Sequence, residues 1–223
     1  MDDSDRGETE IIEVKKTSDF ELNGKGENPN WNSAEWITLP QRNSSVENQL
    51  TRAKVLYSEN GIYFLFYCED KELTATMNSD FEDLWNEDVV EVFLWPNNSA
   101  PVYFEYEISP LDYELPILVS NEEGNIVRWM PFHYDSDRRT RHATSVEGGE
   151  KRSHSKILSW KAEFFIPFQL LRPLLNITPG VGSMWKGNIC RIDYQREKAI
   201  LWSKAPIETS FHEYEHFANF LFQ

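Results

Sequence analysis

Positive charge is what this sequence has least of. Its 223 residues hold 22 Lys and Arg against 37 Asp and Glu, a formal net charge of −15. Holding a phosphate backbone or an anionic bilayer requires clustered cations, so nucleic acid and acidic membrane surfaces are excluded as partners. Cysteine is scarce as well. Cys68 and Cys190 each sit inside an apolar, strand-like run, YFLFYCED and GNICRID. They read as buried free thiols; a disulfide between them would require Cα atoms within about 7 Å, which sequence does not fix. No CxxC or Cys/His cluster marks a zinc site. No run approaches the ~18 apolar residues of a membrane-spanning helix, and MDDSDRGETE lacks the basic and apolar regions of an export signal.

Helical periodicity is also nearly missing. PFQLLRPLL, bounded by prolines, supports at most one short helix. Short runs alternating with period two take its place, at about 50–57, 62–69, 89–95, 102–108, 114–119, 126–130, 158–165, 187–194, 200–203 and 219–222. In YFEYEIS, Tyr103, Glu105 and Glu107 oppose Phe104, Tyr106 and Ile108. Asn60-Gly61 between two apolar runs has the chemistry of a tight hairpin, because both residue types tolerate positive φ. The polar stretch 135–156 is expected as a long exposed hairpin or loop. The fold class is therefore all-β, an antiparallel β-sandwich of about ten strands. Residues 1–18 form an acidic flexible leader, and 19–223 form one domain.

Aromatic residues, by contrast, are abundant: 14% of the chain, with eight Trp. Trp85 lies in a polar acidic segment, DLWNEDVVEVFLWPNN, where a core Trp would be unusual. A sugar ring asks for such a face, with carboxylates, amides or Arg meeting its hydroxyls in the ring plane. Other chemistries fit the residues less well. Asp88 and Glu91 could serve as the carboxylate pair of a glycoside hydrolase, yet their odd separation puts them on opposite faces of an extended strand. His212 and His216 spell HEYEH in the zincin form, but no long helix follows to present them together. Oxygen-rich stretches such as NGKGENPN and EDKE can furnish ligands for a structural calcium. No cofactor is required by anything in the sequence.

The ordered set of motifs resembles family 9 carbohydrate-binding modules. WNEDVVEVFLWPNN is similar to that family's W-x-x-D-S-V-E-x-F stretch, WKAEFFIPF to its W-x-x-E-x-x-I-P strand, and GNICRID with ILWSKAPIETSFHEYEHFANFLF to its closing pattern. The likeness runs from about residue 20 to residue 222. It implies a β-sandwich related to DOMON domains, and a non-catalytic module that serves polysaccharide breakdown by gripping sugar between two aromatic rings. Carried over by position, it implies Trp85 as one ring, Glu91 as a hydroxyl acceptor and Phe211 as the second ring, with His212 and Arg191 as further contacts. Asp88 would be structural. Two departures stand out: Glu105 falls where some members use an Arg on the sugar, and Phe217-Ala218 replaces Phe-Gly. The DOMON relationship leaves a haem-binding alternative, with Met77 and Met130 as candidate ligands. The resemblance also implies work outside the cytoplasm, the export signal being missing from this sequence.

Overall fold

The computed structural model describes residues 10–43, 49–122, 125–174, 178–195 and 198–223. It is all-β with one four-residue helix, as expected, but it has thirteen strands, and their pairing is mixed. In chain order they are β1 (Ile11–Lys16), β2 (Ile37–Thr38), β3 (Thr51–Tyr57), β4 (Gly61–Glu69), β5 (Val89–Trp95), β6 (Val102–Ile108), β7 (Glu114–Glu122), β8 (Asn125–Pro131), β9 (Arg141–Glu147), β10 (Ser159–Pro167), β11 (Met184–Gln195), β12 (Lys198–Ser203) and β13 (Ala218–Phe222), with α1 (Phe168–Leu171) after β10. The hydrogen-bonded path runs β8-β7-β6-β5-β11-β13-β1-β3-β4-β10-β9, with β12 beside β11 and β2 beside β3.

β1 is the join. Ile11 to Val14 pair in parallel with β13, and Lys15 and Lys16 pair in parallel with β3. These are the two departures from antiparallel pairing among the named strands. They also correct the expected leader: residues 1–9 lie outside the described residues, but 11–16 form a strand. In IIEV, Ile12 and Val14 are buried while Ile11 and Glu13 alternate away, a period-two signal masked by the acidic residues before it.

The sheet curls so that its two halves face each other. Alternation supplies the inner faces: Val90, Val92, Phe104 and Tyr106 from one half meet Phe64, Phe66, Ala162 and Phe164 from the other. The Tyr106 and Phe164 rings lie 4.8 Å apart across the join. Each such side chain, fully buried, contributes about 1.5–3 kcal/mol. Both outer faces are also covered. Phe20 and Trp31 pack over Leu56, Tyr63 and Phe165 on β3, β4 and β10, with Trp31 Nε1 donating to buried Glu163 at 2.7 Å. On the opposite side, Phe211 and Phe217 pack over Phe93 and Tyr103.

Two further expectations hold in part. The polar stretch 135–156 contains β9, which pairs with β10 along Arg141 to Glu147. This is the hairpin alternative, and its sequence is polar because β9 ends its sheet and only Thr144 on it is buried. The Asn60-Gly61 hairpin does form, closed by Ser58 N–H donating to Gly61 O at 2.8 Å, but neither residue has positive φ. Glycine is needed for a different reason: a Cβ on Gly61 would sit 2.4 Å from the Ile166 carbonyl on β10. Gly61→Ala is therefore expected to cost about 1–3 kcal/mol through forced strand separation, read as a lowered thermal midpoint. An unchanged midpoint would show that β10 can give way. Ala218, where the family pattern has glycine, occupies an ordinary buried strand position opposite Gly187.

Candidate functional site

The candidate site is built on the outer face of β5 and β6. Outward-pointing positions on these central strands bring three carboxylates together. Glu91 lies directly opposite Glu107, and Glu105 opposite Phe93. All three are nearly inaccessible, Glu91 at 2%, Glu105 at 4% and Glu107 at 0% exposure, and one oxygen from each lies within 4.8 Å of the others. Burial raises all three pKa values, Glu105 to about 8, and the neighbouring carboxylates raise Glu91 and Glu107 further. At neutral pH the cluster holds protons that exposed glutamates would have released.

Two loops build walls above this floor. The first carries Trp85 on a short 3₁₀ turn, Leu84–Asn86. Asp88 anchors it by accepting backbone N–H bonds from Tyr194 at 2.8 Å and Thr74 at 2.5 Å, while the Tyr194 hydroxyl donates to Trp85 O at 3.1 Å. This is the structural role expected of Asp88. The second loop follows β12 and carries Phe211 and His212. Glu213 gathers it by accepting the N–H groups of Glu208, Thr209 and Ser210 at 2.7–2.8 Å, which holds its own pKa at about 2 despite partial desolvation. Buried Asn188 on β11 fastens the start of the loop, accepting from Ala205 N–H at 2.9 Å. The HEYEH stretch is thus a capped loop: His216 is exposed and Glu213 binds backbone.

Between the loops lies a cleft of about 370 Å³, reached by Trp85, Glu91, Glu105, Phe211 and His212. Four of the five residues expected at a sugar site therefore share one cavity. His212 bonds the Tyr103 hydroxyl through Nδ1 at 2.7 Å, and burial pushes its pKa down to about 4, leaving it neutral at pH 7. Phe211 is present but only 7% exposed, its ring packed edge-on to Phe93, so it offers little face. A second indole that sequence reading missed does offer one: Trp129 on β8 is 45% exposed, and its ring centre lies 5.2 Å from that of Trp85 at 80°. The two indoles make a corner rather than a parallel slot. The strand at 126–130 was foreseen from its pattern, but its return beside the Trp85 turn was not.

Arg191 does not join them. Its neighbour Cys190 pairs with Glu91, so Arg191, one position along β11, points to the inner face. There it is fully buried and lies 3.2 Å from Asp70 and 3.0 Å from Asp193, with Trp202 beneath the guanidinium at 4.7 Å. Asp88 belongs to this inner group, within 4.8 Å of Asp70 and Asp193, on the opposite side of the sheet from Glu91. The parity argument against an Asp88/Glu91 catalytic pair thus holds in three dimensions. Met77 packs, partly buried, on the outer-face cluster of Phe93 and Tyr103, and Met130 lies exposed on β8. Cys68 and Cys190 are buried free thiols.

The family described as carbohydrate family 9 binding domain-like matches residues 22–217. The chain belongs to that family. A candidate carbohydrate-binding protein from Bacteroides uniformis has the same fold, with a TM-score of 0.77 at 17% identity over 97% of this chain and 100% of the other. A family 9 module from Caldicellulosiruptor kristjanssonii in complex with cellotriose gives 0.68 at 14% identity, covering 96% and 94%. The module from that organism in complex with glucose gives 0.66 at 15%, covering 96% of both chains. No curated protein matches the chain. Within this family 9 domain, the Trp85 turn and the Phe211 loop both fall inside the matched residues, and no helix among the described residues is long and apolar enough to cross a membrane.

Proposed function

We propose that this domain binds carbohydrate in the cleft, without cleaving it, in the service of polysaccharide breakdown. The observation that carries the reading is the pairing of an indole corner, partly buried Trp85 with exposed Trp129, with hydrogen-bonding groups on the floor below. The indoles would cover the apolar C–H face of a pyranose, while Glu91, Glu105 and His212 would meet polar groups at its edge. Membership of the family supports the reading, as do the glucose and cellotriose held by structural relatives. Non-catalytic action is supported by the placement of Asp88 and Glu91 on opposite faces of the sheet.

Titration of intrinsic tryptophan fluorescence, with calorimetry alongside, tests this on a panel of mono- and oligosaccharides. The parent should show saturable binding. Trp85→Ala should weaken it about tenfold or more, because stacking area is lost, while circular dichroism stays unchanged. Silence of the parent in calorimetry across neutral, acidic and amino sugars would remove the proposal.

A further inference from the structure

Two buried carboxylate triads stand among the described residues, and the fold treats them differently. Asp70, Asp88 and Asp193 are answered from within by the Arg191 guanidinium. Glu91, Glu105 and Glu107 have no internal cation: among the described residues, the cleft lining includes no Lys or Arg, and the basic side chain it does include, His212, is kept neutral by burial. Glu107 supplies an independent sign of a missing partner. It is fully buried, yet neither of its carboxylate oxygens makes a hydrogen bond of good geometry. The Glu105 carboxyl and the Trp85 backbone N–H both lie close to it, but neither makes one. A buried carboxylate left this way is costly, and the triad faces an open cleft rather than a packed interior.

We propose that the cleft selects sugars bearing a protonated primary amine, of the glucosamine type with the nitrogen unacylated, and seats the ammonium on Glu91 and Glu105 with Glu107 behind them. This rests on the carbohydrate-binding reading and names the ligand class for that site. The geometry fits. Two oxygens at about 2.8 Å from a tetrahedral nitrogen stand roughly 4.6 Å apart, compatible with the 4.8 Å limit that encloses the Glu91 and Glu105 oxygens. Glu91 and Glu105 reach the cleft directly. Glu107 does not line it, and stands behind the other two. The walls suit the rest of such a sugar, since Trp85 and Trp129 offer apolar faces within one residue's reach of the floor.

A divalent metal fits less well. Calcium takes six to eight oxygens, as a rule, whereas beyond this triad the floor and walls are largely apolar, with Ile117, Ile192 and Phe211 among them. A neutral sugar could hydrogen-bond Glu91, but it would bring no cation to let the buried triad ionise.

The test is calorimetry on the full chain at neutral pH, since acid would load the triad with protons and strong base would neutralise the amine. Four probes are compared: a β-1,4-linked glucosamine trisaccharide, its fully N-acetylated form, cellotriose, and calcium chloride alone. The free-amine trisaccharide should bind about tenfold or more tighter than either neutral sugar, the gain of a charge-assisted hydrogen bond. In Glu105→Gln, with folding confirmed by circular dichroism, that ratio should fall toward one. Should the variant not fold, Glu91→Gln is read in the same way, and the parent's preference already decides the claim. Equal binding of cellotriose and the amine would overturn this inference and leave carbohydrate binding intact. Calcium titrating onto the parent but not onto Glu105→Gln would also overturn it, making the floor a metal site. Failure of all three sugars would overturn both readings together.

Discussion

Arg191→Met will lower the stability of the domain by about 3–5 kcal/mol, the cost of stripping the cation from a buried charged cluster. Arg191 is 0% exposed, and its guanidinium donates to four acceptors: Thr51 Oγ1 at 3.0 Å, Glu69 O at 2.7 Å, Asp70 at 3.2 Å and Asp193 at 3.0 Å. Methionine replaces the stem's volume but none of the donors. Asp70 and Asp193 then face each other with Asp88 close by, and burial has already raised the pKa of Asp70 to about 7 even with Arg191 present. The stranded groups must either stay charged in an apolar interior or take up protons. Arg191→Lys should recover only part of the loss, since one ammonium cannot span acceptors arranged around a planar fork. The midpoint and slope of urea unfolding measure the change. A loss below about 1 kcal/mol for Arg191→Met would mean the cluster relaxes or hydrates freely, and that Arg191 does not organise the core.

The domain will also lose stability as pH rises from about 5 to about 8, the reverse of the usual carboxylate trend. Glu105 has its folded pKa raised to about 8, chiefly by desolvation. A raised folded value means the native state binds the proton more tightly than the unfolded chain does. The stability it contributes is complete below the unfolded value near 4.5, and it drains away as pH climbs through 8. For Glu105 alone, the loss across that window is on the order of 3 kcal/mol. Glu91, Glu107, Asp70 and Asp88 are shifted in the same direction. His212 acts oppositely. Its folded pKa is lowered to about 4 by burial, so it removes stability as pH falls from about 6.5 toward 4. The two trends together place the stability maximum on the acid side of neutrality. Glu105→Gln should flatten the slope between pH 5 and 8 and be more stable than the parent at pH 8. Urea midpoints across this range check the sign, and midpoints that rise with pH would contradict the buried, shared-proton account of the triad. The same logic ties stability to ligand, since an ammonium on the floor would stabilise the deprotonated triad and oppose the loss at pH 8.

The local rules of a β-strand made much of this site legible before any coordinates. Alternation along YFEYEIS put Glu105 and Glu107 on one face and Phe104 and Tyr106 on the other, as the core and the cleft floor now show. The three-residue step from Asp88 to Glu91 separated their roles. Trp85 stood out because an indole among acidic residues has no local reason to be fully buried, and it keeps part of its surface in the cleft. These inferences need only the two-residue period of side-chain direction, which each strand carries in itself. What tertiary structure alone decided depends on register and on which loops return. Glu91 meets Glu107 because β5 and β6 pair in one register among several that alternation would allow. Arg191 turned inward because Cys190, not its neighbour, took the outward position opposite Glu91. Trp129 became the second indole only because β8 folds back beside the Trp85 turn, and β1 became the seam because β13 and β3 both offered it an edge. Cross-strand partners are set by contacts between residues far apart in the chain, and no local pattern encodes them.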